Sequence, residues 1–137
     1  MSLRRRAREV ALQILFEDDV NPRGTAAELT EFLHGRLNNQ DGEDFALRLV
    51  LGVRQNREAL DERLGQIAQN WSLKRMAGAE RNILRIAAYE VIHGETPFAV
   101  AVNEAIELAK RYGSAQSGGF VNGILDRLKS VEAEGKA

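Results

Sequence analysis

Three features of the chain predict an all-α fold. Apolar residues recur at helical spacing through most of its length, while alternating β-branched runs are few. Ala, Leu, Glu and Arg are plentiful, and all four favour helix. The two prolines, Pro22 and Pro97, fall where helical patterns break, which is where proline is tolerated. The 137 residues are enough for one domain with a real core. Period and punctuation divide them into about seven helices.

The first helix runs from about Leu3 to Asp18 and precedes a turn at Asn21-Pro22-Arg23-Gly24. The second, about Thr25 to Leu37, carries Ala26, Leu29, Leu33 and Leu37 near helical spacing. Thr25 is its N-cap, and Glu28 three residues later completes a capping box. Asn38-Asn39-Gln40-Asp41-Gly42 breaks the pattern. A third helix follows, with Phe45, Leu49 and Gly52-Val53 on one stripe. A fourth starts near Asn56, a candidate N-cap, and carries Leu60, Leu64 and Ile67.

After a break at Asn70-Trp71-Ser72, the fifth helix runs from about Gly78 to His93. Ile83, Leu84, Ile86, Ala87, Ala88, Tyr89, Val91 and Ile92 cover most of its circumference, which marks a central helix. Gly94 is its natural C-terminal cap. The sixth opens with Thr96 as N-cap and Pro97 at the first helical position. It buries Val102, Ala105, Ile106 and Ala109, then stops at Gly113. The seventh spans about Ala115 to Val131, with Val121, Ile124, Leu125 and Leu128 on one stripe. Glu132 onward reads as a frayed tail.

Composition narrows the function. Hydrophobic residues make up 44% and charged residues 28%, ordinary for a soluble globular protein. No long apolar run predicts a membrane span, and Glu9, Gln13 and Glu17 interrupt what would be the apolar part of a signal peptide. The simplest expectation is a cytoplasmic protein. There is no cysteine, so disulfides and thiolate metal sites are excluded. His34 and His93 have no metal-ligand spacing, and no metal or cofactor is expected. No Walker loop, dinucleotide fingerprint or nucleophile elbow occurs; Gly118-Gly119 lacks the lysine and preceding strand of a phosphate loop. Nineteen basic residues face twenty acidic ones, for a net charge of −1. Nucleic-acid binding would therefore need a local basic patch, helped by a partner.

Such a patch stands at the start. Arg4, Arg5, Arg6 and Arg8 lie within the first eight residues, with no acidic residue before Glu9. The stretch runs into the helical pattern Val10 to Phe16, so the guanidinium groups sit on a folded tip rather than a loose tail, which suits phosphate binding. At 100° per residue, Ala7, Ala11, Ile14 and Asp18 form one face with Leu15 at its border. Arg5, Arg8, Leu12 and Phe16 form a second stripe. Either both faces meet neighbouring helices, or Leu12 and Phe16 form a docking surface beside the arginines. The arginines themselves are open to a plainer reading, a solvated terminus.

Other candidates carry equally plain alternatives. Arg85 lies near Arg81 on the few polar positions of the fifth helix, where an ion-paired face is expected. Glu90 falls among Ile83, Ile86 and Ala87 and reads as a buried, hydrogen-bonded carboxylate. Phe120, after two glycines, either stacks on an unpaired base or belongs to the core.

Taken together the motifs carry a resemblance. Arg4-Arg5-Arg6-Ala7-Arg8-Glu9, followed by Ala11, Gln13 and Leu15-Phe16, resembles the opening of the NusB family of bacterial transcription antitermination factors. Ile83-Leu84-Arg85-Ile86-Ala87-Ala88-Tyr89-Glu90 is similar to the family's central helix. Val102-Asn103-Glu104-Ala105-Ile106-Glu107-Leu108-Ala109-Lys110 and Phe120-Val121-Asn122-Gly123-Ile124-Leu125-Asp126 are similar to its last two helices. The resemblance covers nearly the whole chain and is weakest from about Val20 to Asn70.

The resemblance implies an all-helical fold of two small packed bundles: a single RNA-binding domain over residues 1–137 with helical subdomains of about 1–55 and 56–137. It implies no enzymatic activity and no catalytic residue. It implies binding to boxA RNA of ribosomal RNA leader transcripts, together with the ribosomal small-subunit protein NusE, within an RNA polymerase antitermination complex. By match, the RNA-facing positions are Arg4, Arg5, Arg6 and Arg8, with Gln13, Arg85 and Phe120. The partner-facing positions are Leu12, Phe16 and Glu80. Some family members self-associate, which leaves a homodimer open. Similar helical domains also begin certain ribosomal RNA methyltransferases, but the chain ends at Ala137 and has no glycine-rich cofactor loop, so an enzyme is not expected. Two departures stand out. Gln116 and Gly119 replace an acidic and a basic position before Phe120, and Phe16 replaces a tyrosine, which removes a phenolic hydrogen bond.

Overall fold

A computed structural model describes residues 2–21, 24–68 and 72–135, without the side chains of Val131 and residues 133–135. Every regular element among them is helical: α1 (Leu3–Asp18), α2 (Ala26–Leu37), α3 (Gln40–Ile67), a short 3-10 turn (Leu73–Arg75), α4 (Gly78–Ile92), α5 (Phe98–Tyr112) and α6 (Ser117–Gly135). The chain divides into two compact units, Met1–Gln55 and Asn56–Ala137. The predicted turn residues Pro22 and Arg23, and Asn70 and Trp71 of the predicted break, lie outside the described residues.

Among the described residues the α-helix count is six rather than about seven because the expected third and fourth helices are one, the 28-residue α3. Asn56 has a capping side chain, but no proline or C-terminal glycine stands beside it to stop the preceding turn. Asparagine inside a helix costs well under about 1 kcal/mol relative to alanine, which tertiary burial outweighs. The break at Asn38 is real and short. Asn38 adopts the left-handed conformation (φ 46°) that ends α2, and its N–H donates to the His34 carbonyl. Asn39 then caps α3, its Oδ1 accepting from the Gly42 N–H at 3.2 Å.

In the first unit, α1 buries Ala7, Val10, Ala11, Ile14 and Leu15, α2 buries Leu29, Leu33 and Leu37, and the first half of α3 buries Phe45, Ala46, Leu49, Val50 and Val53. Thr25 caps α2 through its hydroxyl, which accepts from the Glu28 N–H at 3.2 Å. The C-terminal end of α1 is fastened by a forked ion pair. Arg54 Nε and Nη2 donate to the two Asp18 oxygens at 2.7 and 2.8 Å. The hydrogen bond to Asp18 raises the guanidinium pKa above its already high ordinary value, so the arginine stays charged at any pH the fold survives.

In the second unit α4 is the central helix, packing on both α5 and α6, which also pack on each other. Ile83, Leu84, Ile86, Ala87 and Ala88 are all buried, as expected of a helix apolar nearly all round. Glu90 is buried too, and Thr96 Oγ1 donates to its carboxylate at 2.8 Å. That bond explains one shift of register. Thr96 was the expected cap of the next helix, but its hydroxyl serves Glu90, and Pro97 itself is the N-cap of α5. α4 ends at Ile92 with His93 as its C-cap, in place of the expected Gly94, whose N–H bonds the carbonyls of Tyr89 and Glu90, both at 3.2 Å. A Cβ at Gly94 would stand 2.8 Å from the Glu90 carbonyl oxygen, so this close approach needs glycine.

α6 starts two residues later than expected and continues to Gly135. Glu132 is no frayed tail, because it pairs with Arg63 and ties the helix end to α3.

The Asp18–Arg54 pair should carry measurable stability, since Asp18 is buried and Arg54 only a quarter exposed. Asp18→Ala is expected to lower the unfolding free energy by about 2–3 kcal/mol in urea denaturation, by stranding the guanidinium. A loss below about 0.5 kcal/mol would show the pair to be a surface-type contact.

Candidate nucleic-acid interface

α1 begins against its own electrostatics. The N-terminus of a helix carries partial positive charge and favours acidic side chains. Here the first turn holds no acidic residue, and arginines fill positions 4, 5, 6 and 8. The helix forms there because Ser2 caps it, its Oγ accepting from the Arg5 N–H at 3.1 Å. Neighbouring groups in the same unit then absorb the charge. The Arg4 guanidinium lies over the Phe45 ring, 4.3 Å from its centre, and that of Arg8 lies 5.0 Å from the same ring. Arg6 Nη2 donates to the Arg36 carbonyl at 3.1 Å, in the last turn of α2, where the helix dipole is negative. Arg4 and Arg6 are exposed, Arg5 is half-buried, and Arg8 is 3% exposed. The result is an arginine edge with an aromatic floor, held by folded groups rather than a free basic tail.

The other expected residues are placed as follows. Gln13 is exposed on α1. Phe16 is 48% exposed, an apolar ring with a free face. Leu12, expected beside it at a docking surface, is 5% exposed, because the second stripe of α1 is itself largely covered. Within that stripe, Phe16 is the large apolar side chain left presented to solvent.

Three residues belong to the second unit. Arg85 is 4% exposed: its Nε and Nη2 donate to the Asp61 carboxylate at 2.7 and 2.8 Å, and Nη1 donates to Asn82 Oδ1 at 3.0 Å. A direct contact from Arg85 to RNA would require breaking this fork. In its observed place the residue joins α4 to the second half of α3. Glu80, in the first turn of α4, accepts from Ser117 Oγ at 2.6 Å, and Ser117 Oγ accepts in turn from the Ser114 N–H at 2.9 Å. This relay fixes the start of α6. Phe120 sits one turn into α6, half-buried, with its N–H on the Gln116 carbonyl at 3.1 Å.

One residue of the edge was missed. Arg48, exposed on α3, places its guanidinium 6.0 Å from the Phe45 ring centre, on the ring that Arg4 and Arg8 share. Its only sequence signal is the i, i+3 spacing from Phe45. No group of three or more His, Asp or Glu side chains able to hold a metal occurs among the described residues.

The fold and this edge define an all-helical module with an arginine-lined edge at the start of α1. Residues 5–130 match the NusB family. The chain is 45% identical over 130 residues to the transcription antitermination protein NusB of Anaeromyxobacter dehalogenans, covering 94% of this chain and 92% of the relative. It superposes on NusB of T. maritima with a TM-score of 0.79 at 36% identity, covering 90% of this chain and 88% of the other. It also matches a chain from the crystal structure of antitermination factors NusB and NusE in complex with dsRNA, with a TM-score of 0.82 at 26% identity over 96% of this chain and 98% of that one. The protein belongs to the NusB family.

The Arg85 fork gives a discriminating substitution. Lysine keeps the charge but cannot bond Asp61 through two nitrogens and Asn82 through a third. Arg85→Lys is expected to cost about 1–3 kcal/mol of folding stability, measured by chemical denaturation. Unchanged stability would mean the fork is dispensable to the fold.

Proposed function

We propose that this protein is a non-enzymatic, cytoplasmic transcription antitermination factor. In this reading the whole chain acts as one RNA-binding domain that binds boxA RNA of ribosomal RNA leader transcripts. It does so together with NusE, and the pair joins the RNA polymerase antitermination complex. The observation that carries the reading is the arginine edge: cations set at the helix end that repels them, on an aromatic floor, in a chain whose net charge is −1. A broken local rule that the fold only partly offsets, through Phe45 and the Arg36 carbonyl, is what a site kept for binding would show. Membership of the NusB family and the likeness to a NusB chain crystallised with NusE and dsRNA support the same assignment.

The chemistry is recognition. Arg4, Arg5 and Arg6 supply forked donors for phosphates and base edges, and Arg8 backs them from its buried place on Phe45. Gln13 offers a neutral donor and acceptor farther along α1, and Phe120 offers a ring for a splayed base. Arg85 acts by holding α4 in place. Phe16 and Glu80 are the proposed NusE contacts, Phe16 through its exposed ring and Glu80 through its carboxylate, with the buried Leu12 one turn earlier on the same stripe. The near-neutral overall charge gives weak RNA binding by the protein alone and makes the partner's contribution necessary.

Neutralising three or four phosphates of a single strand predicts a slope of roughly −2 to −3 in a plot of log affinity against log salt. The triple change Arg4→Gln, Arg5→Gln and Arg6→Gln is expected to reduce the magnitude of that slope by about 2 and to weaken boxA binding at least tenfold at low salt. A mobility shift with and without NusE measures both quantities. Unchanged affinity in the triple variant would sink the arginine assignment, and equal RNA affinity with and without NusE would sink the joint recognition.

A further inference from the structure

The Phe45 ring gathers charge from two helices. Arg4 and Arg8 approach it from α1 at 4.3 and 5.0 Å, and Arg48 approaches it at 6.0 Å from one turn along α3. Phe45 is 6% exposed, so the ring is packed in the core and the guanidinium groups of Arg4 and Arg48 meet it from the surface side of α1 and α3. Arg4 and Arg48 are both exposed, and among the described residues neither forms an ion pair with a carboxylate. Like charges collected around one ring repel one another, and the ring quadrupole offsets only part of that repulsion. A bound polyanion would offset more of it, since Arg4 and Arg48 are exposed and can donate outward from the ring.

We propose that Arg48 is a phosphate-contacting residue of the RNA-binding edge, gathered to Arg4 and Arg8 by the Phe45 ring. The proposal rests on the reading that this edge binds RNA, and it extends the edge from α1 onto α3. It assigns a contact to a residue that carries no motif and stands far in sequence from the arginine run. Arginine rather than lysine suits the position, since its planar group can lie on the ring and still present donors outward.

The test is a salt titration of binding to a boxA-type single-stranded RNA, using the full chain with NusE present. Arg48→Gln is expected to reduce the magnitude of the log–log slope by about 0.7, the share of one phosphate on a single strand. Affinity at low salt should fall several-fold. Arg48→Lys, which keeps the charge, should keep the slope. Arg5→Gln with Arg6→Gln serves as the reference for the underlying reading. If that reference flattens the slope while Arg48→Gln leaves slope and affinity alone, the Arg48 assignment is overturned and the RNA edge stands. If Arg48→Gln weakens binding with the slope unchanged, the phosphate contact is overturned. If neither variant changes binding, the RNA reading of the edge itself falls. Because Arg48 is exposed, the variants should melt within a degree or two of the parent, and Arg48→Lys provides a second reading of the slope should the glutamine variant melt early.

Discussion

α1 is fastened to α3 at both ends, and the candidate interface depends on that fastening. At its C-terminal end the Asp18 carboxylate grips Arg54 through two short hydrogen bonds. At its N-terminal end Arg4 and Arg8 lie on the Phe45 ring. Between these points the apolar face of Ala7, Ala11 and Ile14 is fully covered. A helix with four cations in and beside its first turn is locally unfavourable, and in isolation that end would fray. Tertiary contacts reverse the outcome. The Ser2 cap, the aromatic floor and the α2 carbonyl that receives Arg6 each offset part of the repulsion. What remains is a set of donors placed by folded contacts, an arrangement that in the proposed role would reduce the side-chain freedom lost on binding an anion.

The second unit reaches rigidity by a different route. Its buried polar side chains meet specific partners: on α4, Arg85 bonds Asp61 and Asn82 and Glu90 bonds Thr96, and at the start of α6 Ser117 bonds Glu80. Buried polar groups specify a packing only when they are satisfied. These pairs fix where α4 meets the second half of α3, and where α6 begins. The departures from the family pattern at Gln116 and Gly119 lie beside the Ser114–Ser117–Glu80 relay, and Gln116 joins it, its Oε1 accepting from Ser114 Oγ at 3.4 Å. The start of α6 is therefore held even though the neighbouring charges are absent.

Much of this was legible in the sequence. Strong apolar periods placed α1 and α2, and the apolar circumference of α4 marked it as central. The fusion of two predicted helices into α3 was not legible, since the capping character of Asn56 competes with burial that only the tertiary fold provides. For the candidate site, the arginine run was visible because it is contiguous. The burial of Arg85 was not, because its partner Asp61 lies 24 positions away and no local pattern couples them. Arg48 was invisible for the same reason: a single surface arginine acquires meaning only when the fold brings it to the ring that Arg4 shares. Leu12 and Phe16 share a helical stripe, yet the sequence could not say that one is covered and the other presented.

The central claim is that a prearranged arginine edge, rather than a flexible basic terminus, recognises RNA. The most direct measurement is NMR titration of the isotopically labelled protein with a boxA-type RNA, following arginine Nε–Hε and aromatic signals. Arg4, Arg5, Arg6 and Phe45 should respond together, and the Arg4 and Arg8 Nε–Hε groups should already show restricted motion before RNA is added. Disordered arginine signals in the free protein, or RNA-induced changes confined to residues away from the start of α1, would contradict the claim.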